Sequence, residues 1–296
     1  AEGKLRNLEA RLAEEPLSGT VGIGHTRWAT HGRPTETNAH PHGTARLAVV
    51  HNGIIENFRD LKAELAREGV VFETETDTEV VAQLVDREMA HGRAPAEAVA
   101  AVLPRLRGAF ALAFLFSGEE NLLVGARHGA PLALGYGEGE MYLGSDALAL
   151  APFTDDICYL DDGDWTVVTR SGAEIFDARN EPVTRARQRV PAGSFLADKG
   201  NHRHFMGKEI YEQPEVVGRT AAHYVDLATG RVRLPVEFPF DFAKLDRITI
   251  AACGTAYYAG LVARYWFERL ARIPVEIDVA SEFRYREAPL PKGGLS

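Results

Sequence analysis

Between residues 109 and 170 the chain reads AFALAFLF, NLLVGAR, PLALGYG, GEMYLGS and DWTVVTR, apolar runs separated only by Gly, Pro and Asp turns. Short apolar runs bounded by such turns read as strands. Strands that follow one another through turns this short pair antiparallel, because a parallel partner needs a long crossover. The helical patterns are grouped ahead of these strands, so they cover the sheets as layers instead of alternating with them. The pattern predicts an α+β domain.

Upstream, TVGIGHTRW and RLAVVHNG also read as strands, the second almost wholly apolar and therefore buried on both faces. Asn57 can cap the helix that follows, with Asp60 in capping-box position, Leu61 and Leu65 on its buried face and Gly69 at its end. A second helix is expected over about 78–90 on the stripe Val81, Leu84, Val85 and Met89, ended by Gly92. A third opens at Pro95 and carries Val99, Val102, Leu103 and Leu106, with Pro104 disturbing its last turn.

From about 177 to 214 the periodicity disappears, as in an interdomain connection, and KEIYEQPEVVGRTAAHYV then resumes helical spacing. DRITIAACGTAYYAGLVARYWFERLARIPVEIDVA is a strand, a tight glycine turn, a long helix and a second strand, the opening βαβ unit of a parallel-sheet domain. The expected boundaries are 1–177 for the first domain, 178–240 for the connection with its helix, and 241–296 for the start of the second. The opening AEGKLRNLEARL and the closing PLPKGGLS lead to the expectation that the sequence begins and stops inside a longer protein.

A net charge of -9 argues against nucleic acid or an anionic membrane as partner. No run is apolar over the length of a membrane span. The two cysteines, Cys158 and Cys253, lie in apolar runs without metal-binding spacing and read as reduced, buried thiols of a cytoplasmic protein. His202 and His204 in KGNHRHF suit a solvated connection better than a metal site, and no metal is expected.

Three motifs carry polar chemistry. HTRWATHG, residues 25–32, puts Arg27, Trp28, Thr30 and His31 at a strand end, and a guanidinium is a fork suited to a carboxylate. In VVHNGIIEN, Asn52-Gly53 is either a hairpin turn or a pair of donors for a developing oxyanion, and periodicity does not choose between these. His51 beside it reads as a satisfied core histidine. In ETETDTEVV, five acidic or hydroxyl side chains precede a helix. Thr76, Asp77 and Glu79 can cap that helix, or Asp77 can face a substrate ammonium. A carboxylate clamp, an oxyanion hole and an ammonium acceptor together fit an α-amino acid attacked at its side-chain carbonyl.

HTRWATHG, HNGIIEN and ETDTE resemble the glutaminase domain of the class II glutamine amidotransferases. KEIYEQP, CGTAYYAG and ASEFRYR resemble the branch that aminates and isomerises fructose 6-phosphate to glucosamine 6-phosphate. The resemblance implies an N-terminal-nucleophile fold, four layers αββα, followed by sugar-isomerase (SIS) domains. It implies that Arg27 binds the glutamine carboxylate and that Thr30 and His31 line the same pocket. Gly53 and Asp77 would contact the amino acid, with Asp77 on the ammonium, and Asn52 and Gly53 would form the oxyanion hole. Trp28 would gate an internal passage for ammonia. The family's nucleophile is a cysteine with its own α-amine as base, expected ahead of Ala1. Thr255, at the turn between strand and helix, would contribute to the sugar-phosphate site, with Ala256 where some members carry serine. The substrates implied are glutamine and fructose 6-phosphate; a homo-oligomer is implied, and no cofactor. A phosphoribosylamine-forming amidotransferase and a non-catalytic sugar-phosphate-binding regulator are the alternatives.

If Arg27 is the carboxylate clamp, Arg27→Lys in the full-length protein raises the KM for glutamine about tenfold or more, because a point charge cannot replace a bidentate fork. Steady-state glutaminase kinetics check this, and an unchanged KM and kcat/KM removes Arg27 from that role.

Overall fold

The alternation in AFALAFLF decides which layer lies on which side of the main sheet. The computed structural model describes residues 5–26, 35–190, 202–226, 229–232, 234, 237–290 and 292–296. It divides into two units, Ala1–Asp198 and Lys199–Ser296.

The first unit begins with α1 (Leu5–Glu14), β1 (His42–Gly43) and β2 (Leu47–Ile55). Three helices follow, α2 (Phe58–Arg67), α3 (Thr78–Ala90) and α4 (Pro95–Val102). The strands β3 (Gly108–Phe116), β4 (Leu123–His128), β5 (Ala133–Tyr136) and β6 (Met141–Gly144) lead to the one-turn helix α5 (Ala147–Leu150). Then come β7 (Asp156–Tyr159), β8 (Trp165–Thr169), β9 (Gly172–Phe176), β10 (Pro182–Val183) and β11 (Arg187–Arg189). They form a seven-stranded sheet in the order β1-β2-β3-β4-β8-β9-β10 and a four-stranded sheet in the order β11-β7-β5-β6. The main ladders are antiparallel, as the short turns require.

Phe110, Leu112, Phe114 and Phe116 share a core with Leu61, Leu65, Val81, Leu84, Val85, Val99 and Val102 of the helices. Of the residues between them, Ala111 and Ala113 are small. Ala111 belongs to the second core, with Leu132, Leu134, Cys158, Leu160, Val168 and Ile175 between the two sheets. Large side chains on one face and small ones on the other therefore let the helices and the second sheet close on the same strand. Ala133 and Ile157 on the far face of the second sheet pack on Ala147 and Leu150 of α5. The layer order is helices, sheet, sheet, helix, and the last layer is a single turn among the described residues. This is the α+β arrangement anticipated from the sequence.

Several expectations change. Residues 20–26 form no strand, because their apolar alternation meets no neighbouring backbone to complete a ladder among the described residues. Asn57 stands at the N-cap of α2 without a side-chain cap bond. Its amide instead donates to Arg105 O at 2.9 Å and accepts from Arg107 N–H at 3.0 Å, a two-point tie to the start of β3. Pro104 turns the end of α4 into a 3-10 turn, Leu103–Arg105. Residues 178–190 do not behave as a linker: β10 pairs with β9 and β11 with β7, one new edge strand for each sheet. Polar composition hid them, since edge strands need little apolar surface.

The second unit contains α6 (Phe205–Tyr224), β12 (Val225–Asp226), β13 (Arg231–Val232), β14 (Arg247–Ala252), α7 (Gly254–Trp266), β15 (Val275–Val279), α8 (Ala280–Tyr285) and β16 (Gly294–Leu295). β14 pairs in parallel with β15 and with β16, so the βαβ reading holds. Gly260 lets α7 approach that sheet: a Cβ there would lie 3.1 Å from Ile250 Cγ2. Cys158 is buried, and burial pushes its thiol pKa up. Cys253, expected to be buried, is exposed, because β14 has already ended where it stands.

Glu64 of α2 ties the helical layer together, accepting from Arg87 of α3 at 2.8 Å and from Arg105 at 2.6 Å. The hydrogen bonds from Arg87 and then Arg105 hold its carboxyl below the usual range. A lowered folded-state pKa means that the stabilisation is present above the unfolded value near 4.5 and lost as pH falls through the folded value. Glu64→Gln should cost up to about 1 kcal/mol at pH 7, given the partial exposure of the site. Melting curves should show the gap from the parent closing below about pH 4. A gap equal at pH 7 and pH 3 would show that charge pairing is not what Glu64 supplies.

Candidate active site

β2 carries the first half of the site. Its odd-numbered residues Leu47, Val49 and Ile55 are buried against the helices, and His51 is buried on the same face. Asn52 and Gly53 are exposed, although they lie inside the strand. Asn-Gly is therefore no hairpin turn here: Asn52 stands opposite Ala111, and Gly53 opposite Phe110. Glycine is required for a different reason. Gly53 has φ +125, and a Cβ on it would lie 2.0 Å from Ala109 O. Across the ladder Gly108 has φ +108, and its Cβ would lie 2.2 Å from Ile54 O. The two backbones approach at this end more closely than side chains allow.

The loop before α3 carries the second half. Asp77 is buried at the N-cap position, yet makes no cap bond. One of its oxygens accepts the Ile55 N–H at 2.7 Å, which fixes the carboxylate to the strand that bears Asn52 and Gly53. A carboxylate accepts about four hydrogen bonds, so this one leaves capacity for an ammonium. Glu79 does not cap either. It accepts the Glu73 and Thr74 N–H groups at 2.8 Å each and the Thr74 hydroxyl at 2.6 Å. Asn38 closes the loop from outside, pairing with Glu75 through both ends of its carboxamide at 3.0 Å. These residues hold the loop in place and leave the helix dipole to Asp77 and Glu79 as nearby charge.

Imidazoles join the two halves. His51 Nδ1 meets Thr78 Oγ1 at 2.9 Å and lies 4.0 Å from Asp77 Oδ2. It is a buried residue that hydrogen-bonds through Nδ1. His25 Nε2 lies 2.8 Å from Asn52 Oδ1, and its ring centroid is 4.3 Å from that of His40. His40 is 4.8 Å from His42, whose Nε2 meets Thr76 Oγ1 at 3.1 Å. Contacts across 27 residues leave no periodic signal, so the sequence showed His25 only as part of a polar cluster.

Arg27, Trp28, Thr30 and His31 lie outside the described residues. Thr255 is exposed at the second residue of α7, and the cap position falls on Cys253, which makes no side-chain cap bond. Thr255 is therefore not the cap of that helix, whose cap position lies two residues ahead of it. The His202 ring stacks on Tyr211 with centroids 5.5 Å apart. Among the described residues no three His, Cys, Asp or Glu side chains are grouped as a metal site requires, and no helix is long and apolar enough to cross a membrane.

Residues 25–152 match the glutamine amidotransferase domain, and residues 241–293 match the SIS domain. The chain is 66% identical over its whole length to a protein of Bradyrhizobium diazoefficiens named glutamine–fructose-6-phosphate aminotransferase [isomerizing], of which it covers 49%. It is 64% identical over 98% of its length to a protein of the same name from Mesorhizobium japonicum, of which it covers 48%. The chain thus spans about half the length of the curated relatives it matches. A solved glutamine phosphoribosylpyrophosphate amidotransferase from B. subtilis, complexed with ADP and GMP, aligns over 90% of this chain and 54% of its own, with 21% identity and a TM-score of 0.46. The chain thus carries a match to the glutamine amidotransferase domain followed by a match to the SIS domain, and is similar along its length to these relatives.

Proposed function

We propose that the first unit releases ammonia from the side chain of glutamine, and that the full-length protein passes it to fructose 6-phosphate to make glucosamine 6-phosphate and glutamate. The relatives' shared name supports the overall reaction. The observation that carries the glutaminase role is the placement of Asn52 and Gly53. They are exposed within a strand whose last residue, Ile55, donates its N–H to the buried carboxylate of Asp77.

In this reading Arg27 takes the glutamine carboxylate, with Thr30 and His31 beside it, and Asp77 takes the ammonium. A thiol adds to the side-chain carbonyl as its proton passes to the base, and the Asn52 amide and the Gly53 N–H donate to the oxyanion. Collapse of the oxyanion expels ammonia with that proton and leaves a thioester, and water then hydrolyses the thioester to glutamate and the free thiol. Cys158 is buried between the sheets with its thiol pKa raised, so it does not attack. Cys253 belongs to the other unit. The reading therefore takes the nucleophile to be the family's N-terminal cysteine, outside these 296 residues. Trp28 gates the ammonia passage, and Thr255 at the start of α7 contributes to sugar-phosphate binding. A homo-oligomer and a cytoplasmic setting complete the proposal.

Asn52→Ala in the full-length protein should lower kcat for glutamate release about 10²–10³-fold, the usual cost of one oxyanion donor, while glutamine affinity stays within a few-fold. Glutamate assays paired with calorimetric titration of glutamine test this. Unaltered glutamate release would overturn the assignment.

A further inference from the structure

We propose that His25 is a positioning residue that sets which end of the Asn52 carboxamide faces the reacting carbonyl. This rests on the reading of Asn52 as an oxyanion donor. A carboxamide is nearly symmetric in shape but opposite in chemistry at its two ends, and its terminal torsion is broad. An exposed Asn left to solvent can present oxygen as readily as nitrogen. Oxygen aimed at an oxyanion would repel the charge that the site exists to stabilise.

In the structure the oxygen end of this carboxamide is the one against His25. A carboxamide oxygen can only accept, so the 2.8 Å contact between His25 Nε2 and Asn52 Oδ1 requires a hydrogen on Nε2. With Oδ1 engaged by His25, Nδ2 lies at the opposite end of the group, where it remains a donor. The imidazole is itself braced. Its ring lies tilted against that of His40, which meets His42 edge-on, and His42 bonds to Thr76. Thr76 bonds to Thr74, which Glu79 fixes. The oxyanion donor is thus oriented from the same loop that places Asp77. The exposed end of the site and its buried carboxylate are held in one frame.

The test compares the full-length parent with His25→Ala, His25→Gln, Asn52→Ala and the double variant His25→Ala/Asn52→Ala, with glutamate release and melting curves for each. His25→Ala should lower kcat about tenfold to a hundredfold with the KM for glutamine within about threefold, the signature of lost orientation. His25→Gln offers an amide N–H near the position of Nε2 and should recover the larger part of that loss. The double variant should be no slower than Asn52→Ala alone, because the histidine acts through the asparagine. The proposal falls if His25→Ala stays within twofold of the parent, or if its KM rises with kcat unchanged. It also falls if His25→Gln is as slow as His25→Ala, or if the two losses multiply in the double variant. If Asn52→Ala itself releases glutamate at the parental rate, the oxyanion reading fails and the role of His25 fails with it. An effect of Asn52 without one of His25 sinks only the present inference.

Discussion

The pairing of β2 with β3 is the constraint on which the rest of the first unit depends. Nine residues of each strand face one another without a gap, from Leu47 opposite Phe116 to Ile55 opposite Gly108. Because the side-chain period of a strand is two, a slip by one residue would move Phe110, Leu112 and Phe114 from the helices to the second sheet and leave Ala111 to fill the helical core. Both faces are buried, so the cost of such a slip is met twice. The register is fixed by packing on two sides.

That register also places the chemistry. It brings Gly53 and Gly108 to the same end of the ladder, where the backbones approach within what only glycines permit. It leaves Asn52 exposed near the end of a strand whose last residue, Ile55, is anchored by Asp77. The site is assembled from one strand and one loop, and the loop is held by side chains that would otherwise serve as helix caps. Thr76, Asp77 and Glu79 bind backbone and side-chain groups outside α3, so the loop is tied to β2 through Ile55, to His42, and to the first turn of the helix through Glu79.

Much of this was legible in the sequence where a periodic pattern met a single physical demand. The antiparallel strands, the helices α3 and α4, and the βαβ unit of the second half follow from apolar spacing and turn residues. What escaped was set by partners distant in the chain. Asn57 looks like a cap but is recruited by Arg105 and Arg107, about fifty residues on. The segment before His25 has a strand's alternation, yet alternation supplies no neighbour. The Asn52-Gly53 pair has a turn's composition, yet its glycine answers to the backbone across the ladder. His25 carries no pattern at all, and its contact with Asn52 exists only in three dimensions. The roles of Arg27, Trp28, Thr30 and His31 rest on family resemblance.

The segment after residue 177 has a consequence for how the first unit can be separated from whatever follows it. Arg185 grips the buried carboxylate of Asp164 with two nitrogens, at 2.7 and 2.8 Å, while β10 and β11 on either side finish the two sheets. A protease that cut ahead of residue 178 would not trim a tail. It would strip a counter-charge from a buried acid and uncover a strand edge on each sheet, the surfaces through which β proteins adhere to one another. The autonomous folding boundary therefore lies beyond residue 189, and a piece cut short of it would be prone to precipitate.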